Sequence, residues 1–179
     1  MSKSIKKHIA FLWVKKMADV IDIISSGDYP SNVLSNFYPN EFEIDGIRCA
    51  SMEGFLQSLK TKNRDKQKYI CTLSGKAAKN YFRHKLNNIG WKLTGSLHWN
   101  GQRIKRTSEQ YQQLIDRAYD ELAKGQNFCD ALLATGDAEL RHSIGKSNPR
   151  FTVLTETEFI ERLTTLRNRL KGAKDEIYT

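Results

Sequence analysis

The sequence predicts an α+β fold, a predominantly helical single domain with a small N-terminal β-sheet. Three observations point there. The chain has 179 residues, the size of one ordinary domain with room for a real core. Apolar residues beyond residue 50 recur at helical i, i+3, i+4, i+7 spacing, whereas β-branched and hairpin-like patterning is confined to the residues before it. Strands and helices do not alternate as a parallel sheet requires, and no linker, repeat or low-complexity segment divides the chain. The expected organisation is a basic arm over residues 1–17, a domain over 18–170 and a tail over 171–179.

Taken in order, Ala18 to Ile24 is β-branched and reads as a strand ended by Gly27 and Pro30. "EFEI" and "IRCA" flank Asp45-Gly46, a dipeptide that favours a tight hairpin. Met52, Phe55, Leu56 and Leu59 then form a helical stripe. Ala77, Ala78, Tyr81, Phe82 and Leu86 mark a second helix behind a Ser74 cap. Tyr111, Leu114, Ile115, Ala118, Tyr119 and Leu122 make one unbroken face, with Thr107 and Gln110 at capping-box spacing. A short helix from Asn127 to Ala134 stops at Thr135-Gly136. The last helix opens on the capping box Thr155-x-x-Glu158 and presents Phe159, Leu163, Leu166 and Leu170.

Hydrophobic content of 39% with three prolines excludes a disordered chain. No apolar run approaches the roughly 18 residues that span a bilayer, so no membrane partner is expected. The basic start and short apolar run Ile9 to Val14 imitate a signal peptide poorly, because two lysines follow directly and no small-residue cleavage site appears; a cytoplasmic protein is expected. Of the formal charge of +9, Lys3, Lys6, Lys7, Lys15 and Lys16 in the arm hold five. That arm reads either as a phosphate contact on nucleic acid or as a solvated terminus. Cys49, Cys71 and Cys129 are odd in number and scattered, and His8, His84, His98 and His142 do not cluster near them, so neither a disulfide framework nor a metal site is indicated and no cofactor is expected.

Gly-x-Gly-x-x-Gly, Walker, Gly-x-Ser-x-Gly and His-Glu-x-x-His patterns are absent. Attention therefore falls on Glu53. At 100° per residue, Glu53, Gln57 and Lys60 share one edge of the helix beside Met52, Leu56 and Leu59. Periodicity alone reads this edge as solvated side chains lying over apolar surface. A site reading draws on three loops in aromatic or glycine-rich settings: Ser35-Asn36-Phe37-Tyr38-Pro39, "LHWNGQRIKRTS" and "LRHSIGK". In each the structural alternative stands beside the functional one, since Asn36 suits a turn, Trp99 a core and His142 a structural hydrogen bond.

"LSNFYP", "SMEGFLQSLK", "ALLATG" and "HSIGK", followed by "TVLTETEF" and "LTTLRNRL", resemble the NADAR family, and the likeness runs from about Ile21 to Leu170. The resemblance implies a YbiA-like domain and cleavage of N-glycosidic bonds, either in ribosylamine intermediates of riboflavin synthesis or in ADP-ribose attached to guanine bases. It points to Asn36 and Phe37 in the loop, Glu53 and Lys60 on the helix, Trp99 and Gly101 with Arg103 or Arg106, and the segment around Gly136 and Asp137. This sequence departs from the commoner pattern at Gly54, where many members have histidine, and lacks their terminal Trp-Gly; its ending resembles a branch with His142 and Lys146.

Breaking such a bond builds oxocarbenium-like charge on the ribose, which a carboxylate can stabilise while or instead of activating water. Glu53 is the candidate carboxylate. Lys60 is its catalytic companion, either donating to phosphate and hydroxyl oxygens or, as a neutral amine, forming a Schiff base with an opened sugar. Trp99 or Phe37 would stack on a base, Arg103 or Arg106 would hold a phosphate, and His142 would orient substrate or shuttle a proton. The expected function is removal of ADP-ribose from guanine, with ADP-ribosylated nucleic acid or nucleotide as substrate. The alternatives are hydrolysis of a riboflavin-pathway ribosylamine phosphate, a module that binds ADP-ribose or nucleic acid without chemistry, and a toxin that consumes NAD.

Overall fold

A computed structural model describes residues 19–83 and 87–177. The N-terminal arm, the first residue of the expected opening strand and Leu86 lie outside these residues. The element order is β1 (Val20–Asp22), α1 (Ser31–Leu34), β2 (Phe42–Ile44), β3 (Ile47–Cys49), α2 (Met52–Ser58), α3 (Arg64–Cys71) and α4 (Gly75–Asn80). It continues with α5 (Asn87–Thr94), β4 (Ser96–Trp99), β5 (Gln102–Lys105), α6 (Glu109–Leu122), α7 (Gln126–Ala134), β6 (Glu139–Arg141) and α8 (Glu156–Ile177). The α+β class is the one expected, with helix dominant.

Strands pair in twos. β2 and β3 form the expected antiparallel hairpin around Asp45-Gly46, both residues at positive φ, 50° and 74°, as a tight turn of this hand requires. β4 and β5 form a second hairpin over a stretch read from sequence as a loop; Asn100 and Gly101 turn it at φ of 47° and 88°. β1 and β6 pair in parallel, Ile21 opposite Leu140. No local signal announces that pairing, because its two partners come from opposite ends of the domain.

The long helix α6 buries the predicted stripe in full, Tyr111, Leu114, Ile115, Ala118, Tyr119 and Leu122. It packs on β2, β5 and α8. Its cap is Ser108, whose Oγ accepts from the Tyr111 N–H at 3.2 Å, one residue beyond the expected Thr107. Thr155 and Glu158 form the predicted capping box, with the Glu158 carboxylate accepting from the Thr155 N–H at 2.7 Å and the Thr155 Oγ1 from the Glu158 N–H at 3.2 Å. Ser74 caps α4 by position but makes no side-chain bond to it, and α4 ends at Asn80, before Tyr81 and Phe82.

The helix that carries Glu53 is held on two sides. Ser51 Oγ accepts from the Gly54 N–H at 3.0 Å and donates to the Leu73 carbonyl at 3.1 Å. Gly54 lets α2 touch the end of α3, since a Cβ at this position would sit 2.4 Å from the Leu73 carbonyl oxygen and 3.0 Å from that of Ile70. Met52, Phe55, Leu56 and Leu59 fill the core with Phe42 and Trp99, Phe55 meeting Trp99 edge to face at 5.0 Å.

Candidate active site

Glu53, Gln57 and Lys60 line a cavity of about 690 Å³, within the usual range for ligand sites. They act as one chain of groups. Lys60 Nζ donates to Gln57 Oε1 at 2.7 Å, and Gln57 Nε2 donates to Glu53 Oε1 at 2.9 Å. The i, i+4 and i+3 spacings stack the three along one helix edge. The edge is buried: Glu53 and Gln57 keep only 9% and 8% of their surface, so the solvated reading of this face does not hold. Burial pushes the Glu53 carboxyl above its usual range, against the opposing pull of the Gln57 hydrogen bond and the charges of Lys60 and Lys79. Burial likewise brings the Lys60 ammonium down to about 8, helped by the charges of Lys92, Lys146 and Lys79 and opposed by Glu53.

The Asn36 loop closes one wall. The Asn36 carbonyl accepts from the Glu53 N–H at 2.8 Å, and its Oδ1 accepts from the Tyr119 hydroxyl at 2.7 Å. The loop is thereby tied to α2 and α6 together. Tyr119 is fully buried and its pKa is raised by desolvation, which keeps it a donor. Phe37 lines the cavity with Lys79 Nζ 5.0 Å from its ring centroid. Trp91 forms another wall, 5.7 Å from Lys60 Nζ and 6.0 Å from Lys92 Nζ.

His142 reaches the cavity from the far end of the chain. Its Nδ1 sits 2.7 Å from the Ile23 carbonyl oxygen and its ring meets Phe159 edge to face at 5.1 Å. A carbonyl only accepts, so Nδ1 carries the proton and Nε2 is the nitrogen left for a ligand. The sequence therefore brought Asn36, Phe37, Glu53, Lys60 and His142 to one cavity.

The remaining candidates lie elsewhere. Trp99 is 3% exposed in the core, its indole N–H donating to Asp45 Oδ2 at 2.7 Å. Gly101 occupies the turn of the β4–β5 hairpin and Arg103 is exposed on β5 with Nε donating to Ser96 Oγ at 2.9 Å. Arg106 is 2% exposed, Nη1 donating to Glu158 at 2.9 Å and Nε to the Thr152 carbonyl at 3.1 Å. Buried and paired in this way, its fork is committed to the protein rather than to a phosphate. Asp137 lies at the surface beside Lys171, 2.7 Å away. A core tryptophan and a cavity tryptophan have the same local appearance in sequence, which is why Trp91 was missed and Trp99 chosen.

Of the cavity's further cations the sequence singled out Lys146 alone, in its "HSIGK" ending. Lys79, Arg83, Lys92 and Lys146 line the cavity with Lys60, while Glu53 is its one carboxylate among the described lining residues. None of the four takes part in the ion pairs found among the described residues. Lys79, Arg83 and Lys92 come from separate, weakly periodic segments, so only the fold gathers them. Such a cavity suits an anionic ligand whose charge the protein itself does not neutralise. Among the described residues no group of three or more His, Cys, Asp or Glu side chains could hold a metal ion.

Known proteins share this architecture and sequence. The NMR structure of the E. coli protein YbiA superposes with a TM-score of 0.54 at 17% identity over 89% of each chain, which establishes the YbiA-like fold expected from the NADAR motifs. The uncharacterized 17.1 kDa protein in the Gp30–rIII intergenic region of enterobacteria phage T4 is 39% identical over 152 residues, 84% of this chain and 98% of that protein. The model of the family described as bacteriophage protein GP30.3 matches residues 28–168. A match over so much of the domain, from before the Asn36 loop to near the end of the last helix's apolar face, places this chain in the bacteriophage protein GP30.3 family.

Proposed function

We propose that this protein is an N-glycosidase that hydrolyses a ribose–base bond, and that its substrate is ADP-ribose attached to guanine in nucleic acid or nucleotides. The observation that carries this reading is a buried carboxylate, Glu53, coupled through Gln57 to the half-buried amine of Lys60, in a cavity whose described lining holds five Lys and Arg side chains and no second carboxylate. As the C1′–N bond breaks, positive charge grows on the ribose and the base takes up the bond's electrons. Glu53 is the group to stabilise that charge and to take a proton from the attacking water, and the burial that raises its pKa makes it a stronger base than an exposed carboxylate.

The rest of the cavity fits the remaining parts of such a substrate. Lys79, Arg83 and Lys92 supply the charge that a diphosphate needs, and Phe37 supplies flat apolar surface. Lys60 stands next to the reacting centre as a donor to ribose or phosphate oxygen, or, in its neutral form, as a nucleophile toward C1′. His142 Nε2 is the nitrogen available to orient substrate.

The test is a side-by-side assay with an ADP-ribosylated guanine oligonucleotide, free NAD and a riboflavin-pathway ribosylamine phosphate. Release of ADP-ribose from the first, with Glu53→Gln inactive on it, is the expected result. Turnover of NAD or of the ribosylamine in preference reassigns the substrate; tight binding without product, unchanged by Glu53→Gln, identifies a binding module and overturns the enzyme.

A further inference from the structure

The connector from β6 to α8, residues 142–155, contains neither helix nor strand, a length at which an irregular segment is usually functional or disordered. Here it is anchored to the domain on both sides of residues 147–151. The Ser143 N–H donates to Asp22 Oδ1 at 2.9 Å, and the Lys146 carbonyl accepts from the Glu156 N–H at 3.1 Å. The Thr152 carbonyl accepts from Arg106 Nε at 3.1 Å and the Val153 carbonyl from the Tyr111 hydroxyl. Gly145 packs so closely that a Cβ there would lie 2.5 Å from Glu156 Cβ and 2.7 Å from His142 Cδ2.

This pinned frame holds two apolar side chains out of the core. Ile144 is 69% exposed and Phe151 55% exposed, and both line the cavity that Glu53 faces, with exposed Lys146 between them in sequence. Apolar surface held in water beside a cationic site marks a place for a ligand that is flat and apolar on its face and anionic at its flank. A nucleobase with its phosphates has that chemistry.

We propose that the connector is the recognition wall for the departing base: Phe151 is the stacking surface, Ile144 its apolar flank, and Lys146 the partner of an adjacent phosphate. This inference rests on the N-glycosidase reading. It assigns base recognition to the loop ahead of the last helix, and it gives Arg106 a positioning role, through Thr152, for the wall itself.

The experiment uses the full chain carrying Glu53→Gln, so that probes are bound and not consumed. Affinities are measured by calorimetry for ADP-ribose, for ADP-ribosylated guanosine and for an ADP-ribosylated guanine in a single-stranded oligonucleotide. Adding Phe151→Ala is expected to weaken the two base-bearing probes by about 5- to 100-fold, the worth of one stacked base, while ADP-ribose stays within about twofold; Phe151→Tyr restores them. Lys146→Ala is expected to weaken the oligonucleotide more than the other two probes; an equal loss for all three places Lys146 on the diphosphate and overturns its part in the wall. Equal weakening of all three probes by Phe151→Ala, or no weakening, overturns the wall while leaving the reaction intact. Failure of the parent to bind any of the three overturns both.

Discussion

Lys60 can act in two ways at the same place, and pH separates them. With its ammonium brought down to about 8 from 10.5, a role as cationic donor predicts that kcat/KM falls as pH rises through 8, whereas a role as nucleophilic amine predicts that it rises toward 8 and levels off. Borohydride trapping of a secondary amine on Lys60 belongs to the second profile only. The same shift bears on stability. Between pH 8 and 10.5 the unfolded chain holds more of this proton, so stability rises with pH through that window, by about 3 kcal/mol from this group, and that gain is lost as pH falls back from 10.5 to 8. Urea midpoints of the wild type and Lys60→Met across pH 7–10.5 should diverge accordingly; parallel curves would show that Lys60 is not desolvated. Glu53→Gln removes a carboxyl that burial disfavours when ionised, so it should abolish turnover with a melting temperature no lower than the parent's. At this scale the sequence exposed Glu53 and Lys60 because helix periodicity places them on one edge. It did not expose Trp91 or Lys79, whose approach depends on how α4 and α5 dock.

At the scale of elements, α2 is where packing and chemistry meet. Gly54→Ala puts a methyl against the Leu73 and Ile70 carbonyls, which cannot move aside as a flexible side chain does. A loss of about 1–3 kcal/mol is expected, read as a lower urea midpoint, with reduced turnover because Glu53 and Lys60 ride on the displaced helix. Retention of full stability would mean that α2 and α3 do not touch as described. The same contact explains why this chain has no histidine after its helix glutamate. The start of α8 is a second such point. Burial disfavours the Glu158 carboxylate, but hydrogen bonds from Arg106, the Thr155 N–H and Gln112 outweigh it and hold its pKa at about 2. Its contribution is therefore complete above 4.5 and is lost as pH falls toward 2. Arg106→Met should cost on the order of 3 kcal/mol at neutral pH and shift acid unfolding to higher pH. Capping boxes and amphipathic stripes of this kind are local, so α8, α6 and the β2–β3 hairpin were legible in the sequence. The β1–β6 pair was not, and α3, with its apolar residues few and interrupted by charge, gave no stripe to read.

The whole molecule is a small helical body that gathers five cations on one cavity and, in sequence, five more on the N-terminal arm. Among the described residues no helix is long and apolar enough to cross a membrane. Substrate binding should weaken steeply with salt, since each neutralised phosphate releases counterions. If the arm contacts nucleic acid, removing residues 1–17 will leave kcat on ADP-ribosylated guanosine unchanged, raise KM for the oligonucleotide at low salt and flatten its salt dependence. An unchanged slope would leave the cavity as the sole electrostatic contact.

The tie between Asn36 and Tyr119 reaches beyond rigidity. Because the Tyr119 hydroxyl donates to Asn36 Oδ1, one of that oxygen's two lone pairs is taken while both Nδ2 hydrogens remain for a guest. Gln57 is engaged at both ends, by Lys60 and Glu53, and the surrounding cations are donors by nature. Apart from Glu53, the polar side chains of this wall therefore offer hydrogens and few lone pairs. Such a lining sorts guests by hydrogen-bond polarity: a sugar diphosphate, rich in acceptor oxygens, is welcomed, and a polyamine or any donor-rich cation is turned away whatever its shape.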